Sequence, residues 1–278
     1  MNIGIRLHDT VSGTLRQRLA FIRRQGFSCA HIALSKVIDG FDMAEAPEKL
    51  KEELASSVRE DLLAEHIECA VLGCYLNLAD PNEEERQRTQ AIYKAHLRFS
   101  PMIGARVVGT ETYANPHSHF PQGAARSEEA FRLFIDALRP VVRWAEEADA
   151  ILAVEPVYHH IISTPERAQR MLDEVPSDHL QIILDAVNLI GPDTADRAEE
   201  IVEDGIRRLG DRAMVLHMKD YVLRPNEVHS IACGTGVMRF ESLLSLAKRH
   251  SLPMTLEDTT PENAEQARLF LEKQAAAL

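Results

Sequence analysis

Short runs of β-branched and aliphatic residues alternate, from one end of the chain to the other, with longer stretches in which apolar residues recur every third or fourth position. A period of two suits a strand with one face buried, and a period near 3.6 suits an amphipathic helix. Eight runs read as strands, near Ile3 to Leu7, Cys29 to Leu34, Glu68 to Gly73, Ala105 to Gly109, Ile151 to Glu155, Gln181 to Asp185, Ala213 to His217 and Met254 to Glu257. Between them, Leu50, Leu54, Val58 and Leu62 make one helical stripe, and Phe131, Phe134, Leu138 and Val141 make another. Thr164-Pro165-Glu166 and Thr260-Pro261-Glu262 each offer a capping hydroxyl, a proline whose missing N–H costs nothing in the first turn, and an acid favoured by the helix dipole. Asp80-Pro81-Asn82-Glu83 resembles them, whereas Thr110 to Gly123 shows neither period and reads as one long loop.

Eight βα repeats predict a closed α/β barrel over an open, doubly wound sheet, and 278 residues suffice for one such domain spanning 1–278. No G-x-G-x-x-G follows the first strand, which weakens a dinucleotide-binding alternative. A formal net charge of −12 disfavours nucleic acid as the main partner, since that affinity comes largely from Lys and Arg neutralising phosphates. The four cysteines show no C-x-x-C spacing, the N-terminus lacks a basic segment followed by an apolar one, and no apolar run approaches the roughly 20 residues that span a bilayer. A reduced, cytoplasmic protein with no membrane partner is the expectation, and a homo-oligomer is compatible with it.

Four ionisable residues end four successive runs: Glu155 in "ILAVE", Asp185 in "QIILD", His217 in "AMVLH" and Glu257 in "LPMTLE", at intervals of 30, 32 and 40 residues. Side chains alternate across a strand, so Ala153 shares a face with Glu155, Ile183 with Asp185, Val215 with His217, and Thr255 with Glu257. In a barrel that face is the interior, and the four residues are the last inward positions at the rim that carries barrel chemistry. Buried carboxylates without partners are costly, and a divalent cation removes the cost. Three carboxylates and one imidazole, with no thiolate, suit one ion of Mn, Mg, Co or Zn in a catalytic rather than a structural role.

The segments "VEP", "ILDAVNL", "LHMKD", "ACGTGVMRF" and "LED", in this order, resemble the xylose isomerase-like sugar phosphate isomerase/epimerase superfamily, which includes ketose 3-epimerases, hydroxypyruvate isomerases, inosose dehydratases and endonuclease IV. The resemblance implies a single-domain (β/α)8 TIM barrel holding one divalent metal on Glu155, Asp185, His217 and Glu257. It also implies that Glu155 and Glu257 exchange a proton beside the carbonyl of a small sugar or polyol substrate, through an enediolate. A dehydratase that expels a β-hydroxyl and a non-catalytic sugar-binding barrel are the alternatives. Retention of two opposed glutamates favours the enzyme. "YLNLADPNEEER" is similar to endonuclease IV, but the further histidines of a trinuclear site are replaced by Gly73-Cys74, Gly109-Thr110 and Asn188.

Around these, Lys219 stands two residues past His217 and is a candidate for a substrate oxygen, or for an ion pair with Asp220 or Glu257. Asn188 and Arg224 stand near the epimerases' substrate-binding His and Arg. His159 and His160 follow Glu155 closely, His8 ends the first strand and Glu111 follows the fourth, so all four are candidates for the mouth. His117, His119 and His229 are weaker candidates. Gly234-Thr235-Gly236 reads as a tight turn, with a phosphate cradle as the alternative.

Overall fold

A computed structural model, which describes residues 1–112 and 124–278, closes the eight runs into one parallel barrel. In chain order the strands are β1 (Ile3–Arg6), β2 (Cys29–Ile32), β3 (Glu68–Gly73), β4 (Val107–Thr110), β5 (Leu152–Val154), β6 (Leu180–Asp185), β7 (Ala213–Met218), β8 (Asp220–Arg224), β9 (Glu227–Ile231) and β10 (Met254–Leu256). Around the barrel the order is β1-β10-β7-β6-β5-β4-β3-β2, so each barrel strand pairs with its neighbours in sequence. The fold is a (β/α)8 TIM barrel. Among the described residues, no helix is long and apolar enough to cross a membrane.

The two faces of each strand enter different cores. Cys29, Val71, Val107, Ala153, Ile183 and Val215 form a small buried cluster of their own, while Ile5, Leu72, Val108, Leu152, Ile182, Leu184 and Leu216 join the large cluster shared with the helices. Ala153, Ile183 and Val215 thus share the parity of Glu155, Asp185 and His217, which continue the inner column to the rim. On the outside, Phe131, Phe134, Leu138 and Val141 are buried along the helix Glu128–Glu147, and each large side chain so covered contributes about 1.5–3 kcal/mol.

Helix entry follows the expected chemistry at one of the three proline sites. The Thr164 side chain accepts the Arg167 N–H with Pro165 in the first turn. In the second, the cap is Asn82, which accepts from Glu84 and Glu85, because Asp80 Oδ1 is already engaged by the Asn82 N–H. In the third, the helix starts at Ala264, since the Asn263 side chain turns back to the Thr260 N–H. Leu50 precedes the helix Glu52–Glu65, which carries the other three members of its stripe.

The larger departure is the antiparallel hairpin of β8 and β9, inserted between β7 and β10. Pro225 and Asn226 make its turn; Pro presets φ, and Asn226 takes a left-handed φ of 58° that asparagine tolerates.

Candidate metal and substrate site

Glu155, Asp185, His217 and Glu257 converge at the C-terminal rim, and all four are buried. Glu155 and Glu257 each stand one residue past a short strand, and the last strand residues bring their side chains in over His217. His217 Nδ1 lies 3.0 Å from Glu155 Oε2 and 3.3 Å from Glu257 Oε1. Ligand atoms of Glu155, Asp185 and His217 all lie within 4.8 Å of one another, as do those of His31, His217 and Glu257. Among the described residues, neither His217 nitrogen nor Asp185 Oδ2 finds a hydrogen-bond partner of acceptable geometry, although all are buried. Lone pairs that converge without a shared proton fit a divalent cation, and the carboxylate and imidazole donors suit Mn, Mg, Co or Zn.

His31, which the strand reading passed over, is the inward residue of β2. Its ring stacks on that of His217 with centroids 5.2 Å apart and planes at 11°. An imidazole lone pair lies in its ring plane, so these two parallel rings do not converge on a single ion.

Two cations border the cluster. Lys219 Nζ, nearly buried, lies 3.1 Å from Asp185 Oδ2 and 3.3 Å from Glu257 Oε2, so its ion pairs are with Asp185 and Glu257 and not with Asp220. Arg6, also absent from the sequence reading, meets Glu257 at 3.2 Å, Asp9 at 2.8 Å and Asp258 at 2.9 Å. The left-handed backbone at Asp258, φ 53°, turns the chain immediately after Glu257, and its N–H donates to Asp9. Asn188 ties two carboxylates together: its Nδ2 donates to Glu155 Oε1 at 2.6 Å and its backbone N–H to Asp185 Oδ1 at 3.0 Å.

Of the remaining candidates, His8 and Glu111 line a cavity of 350 Å³ beside Glu257, together with Arg6, His31 and Tyr75. Glu111 lies 3.7 Å from His160. Arg224 ends β8 opposite Glu227, exposed at the hairpin tip and away from that cavity. His229 is in β9 and contacts Glu227 at 3.1 Å. His159 is exposed, with its ring against Tyr158, and does not line the cavity. His117 and His119 lie outside the described residues. The Gly234-Thr235-Gly236 segment is a tight turn whose N–H groups are taken: Asp220 accepts from Gly234 at 3.1 Å, Gly236 at 2.8 Å, Met238 at 2.8 Å and Tyr221 at 2.8 Å. That carboxylate fills the place of the phosphate weighed above.

Residues 32–274 match the family described as xylose isomerase-like TIM barrel. The chain belongs to that family. A curated relative, the D-psicose 3-epimerase of Enterocloster bolteae, is 26% identical over 145 residues, which are 51% of this chain and 46% of that protein. This chain is therefore matched to about half of that relative's length. Among solved structures, a D-tagatose 3-epimerase-like protein superposes with a TM-score of 0.77 at 17% identity, covering 100% of this chain and 98% of its own. The IOLI protein, solved with a zinc atom, superposes with a TM-score of 0.71 at 18% identity, covering 100% and 97%. At these identities the structural likeness speaks to the fold.

Burial governs protonation in this xylose isomerase-like barrel. It pushes Glu155 up to about 8, aided by the neighbouring Glu257 carboxylate, and Asp185 up to about 6 against the pull of Lys219. Burial acts on Glu257 in the same sense, but His217, Lys219, His31 and Arg6 outweigh it and hold that carboxyl low; Lys219 and Arg6 persist as cations whatever the state of the imidazole. A carboxyl raised on folding stabilises the metal-free chain fully below its unfolded value, and that contribution is lost as pH rises through the folded value. The increment in thermal stability from added Mn²⁺ is therefore expected to grow between pH 4.5 and about 8, as Glu155 gives up its proton. Scanning fluorimetry with and without metal across that range checks this, and a metal increment that does not change with pH would contradict it.

Proposed function

We propose that the chain is a divalent-metal-dependent isomerase or epimerase of a small sugar or related polyhydroxy carbonyl compound. The observation that carries the reading is the approach of two glutamates, from strands separated by β6 and β7 in the barrel, to one nitrogen of His217 at 3.0 and 3.3 Å. The relatives, a D-psicose 3-epimerase and a D-tagatose 3-epimerase-like protein among them, support the substrate class.

Glu155, Asp185, His217 and Glu257 would hold one cation. When bound, it supplies positive charge to the carbonyl oxygen and the adjacent hydroxyl oxygen, which lowers the cost of removing the proton between them. The protein's own groups do the rest. One glutamate takes the proton from one face of the sugar carbon, and the other returns it, to the opposite face for epimerisation or to the neighbouring carbon for isomerisation. Asn188 holds Glu155 and Asp185 in register, Arg6 and Lys219 hold Glu257 ionised and fixed, and Lys219 is assigned to a substrate oxygen. His8 lies on the cavity wall. Arg224 and His159 receive no role here.

Proton exchange tests the proposal. Metal-loaded protein incubated in D₂O with a panel of ketoses is expected to place deuterium, for at least one of them, at the carbon beside the carbonyl, seen by NMR as loss of that proton signal with interconversion of the sugar. A product that has lost water would reassign the chain as a dehydratase. No exchange and no conversion across the panel at full metal loading would leave a sugar-binding barrel.

A further inference from the structure

We infer that His31 and Tyr75 form a hydroxyl-reading wall of the substrate cavity, a role that rests on the isomerase reading above and names how the sugar is recognised. The wall exists because two strands carry glycine as their last inward residue. A Cβ on Gly73, which ends β3, would stand 2.9 Å from the Tyr75 ring and 3.0 Å from His31 Nε2. A Cβ on Gly109, the next-to-last residue of β4, would stand 3.3 Å from the Tyr75 hydroxyl. At Gly73 the phenol ring occupies the space a side chain would fill, and at Gly109 that space is shared by Val71, Ile183 and the Tyr75 hydroxyl. The Tyr75 ring lies 5.4 Å from that of His31, and the far side of His31 stacks on His217.

The wall is polar and unsatisfied. Among the described residues, the Tyr75 hydroxyl and both nitrogens of His31 are buried and without a hydrogen-bond partner, and His31 Nδ1 lies 3.7 Å from Glu257, beyond hydrogen-bond reach. Native proteins rarely leave such groups unpaired, and each asks for an explanation. The parallel stacking on His217 argues against His31 serving as a further ligand of the ion placed above, and burial, reinforced by Glu155, Glu257 and Glu111, keeps the phenol protonated. Both side chains face the 350 Å³ cavity whose other walls include Glu257 and Glu111.

A phenol and a neutral imidazole each donate one hydrogen bond and accept another, which is the pattern a sugar hydroxyl matches. An anionic group only accepts, and here it would sit beside two carboxyl groups. Of the two cations on the cavity, Lys36 reaches only the exposed rim, and the Arg6 guanidinium is already paired with Asp9, Glu257 and Asp258. The ligand portion this wall takes is therefore a neutral polyhydroxyl chain, with one hydroxyl read by Tyr75 and a neighbouring one by His31.

The experiment is calorimetric binding of D-fructose, xylitol and the monodeoxy analogues of D-fructose to the full-length, metal-loaded chain, with metal content measured in each sample. Tyr75→Phe deletes only the hydroxyl, and His31→Phe keeps an aromatic ring, one atom larger, while removing both nitrogens. Each is expected to weaken D-fructose about 10-fold, as for one lost hydrogen bond, with metal content unchanged. The deoxy analogue that lacks the hydroxyl in question should bind a variant and the unaltered chain alike. Equal affinity of variants and unaltered chain for every probe would overturn the proposal, and so would a uniform loss across all analogues or a parallel loss of metal, since either marks a structural role. Failure of the unaltered chain to bind any of the probes would overturn it too. The readout is separable from proton exchange: a chain that binds in this pattern but exchanges no proton keeps the wall and loses the isomerase assignment.

Discussion

Glu155→Gln and Glu257→Gln, assayed at saturating metal, are each expected to lower turnover by the ~10²–10⁴-fold typical of a lost general base. Glutamine keeps an oxygen that can face the same centre but cannot accept the proton. The two variants should differ in what else they disturb. At Glu155 the neutral oxygen can still accept from Asn188, which stands 2.6 Å away, so metal content should fall only in part. At Glu257 the substitution strips the counter-charge from Arg6 at 3.2 Å and Lys219 at 3.3 Å, so a larger loss of metal affinity should accompany the loss of rate. Measuring rate against metal content separates the two effects. Full activity in a metal-loaded variant would remove that glutamate from the mechanism, and full activity in both would sink the two-base proposal. In D₂O, absence of deuterium from an interconverted sugar would mean that a shielded carboxyl carries the same proton across, and the variants would then decide.

Asp185→Ala is expected to abolish tight metal binding while the barrel survives. The native chain should carry close to one divalent ion, because the strand ends that would bring further ligands are occupied by Gly73 and Gly109, and Asn188 stands at the third place. Asp185 is fully buried and belongs to one of the two close ligand groups, so alanine both opens that group and removes one of the two counter-charges of Lys219. Breaking a buried ion pair outright costs about 3–5 kcal/mol. Here Lys219 keeps Glu257 at 3.3 Å, and the barrel-core contacts of Ile183 below are untouched. Elemental analysis with circular dichroism checks both halves: folded protein without metal is the expected result, and wholesale unfolding would make Asp185 a structural residue. Two or three tightly bound ions on the native chain would overturn the single-ion reading.

How far the residues alone reach is clearest at the strand ends. Glu155, Asp185, His217 and Glu257 are legible because strand parity is local: each follows by two positions a residue of the same face, Ala153, Ile183, Val215 or Thr255, whatever surrounds it. His31 obeys the same parity two residues after Cys29, yet it was missed because the run was read on to Leu34, and a strand drawn two residues too long moves its rim to another residue. Arg6 was lost in the same way when β1 was extended to Leu7. The β8–β9 hairpin carried its own signal in Pro225-Asn226, which was read as loop.

Tyr75 had no such signal. Its place depends on glycines at the last inward positions of two different strands, and nothing near it in the chain reports that Gly109 leaves it room. Likewise the Gly234-Thr235-Gly236 turn suits an anion by composition, and only the arrival of Asp220 against it shows that its N–H groups are already taken. By itself, then, the sequence determined the βα alternation, the barrel it builds and the ionisable residue that ends each of four strands, because periodicity and burial act along a few consecutive residues. The tertiary structure alone decided which oxygen meets which nitrogen, that Lys219 pairs with Asp185 and Glu257, and what fills the mouth, because those distances depend on how strands remote in the chain are brought together when the barrel closes.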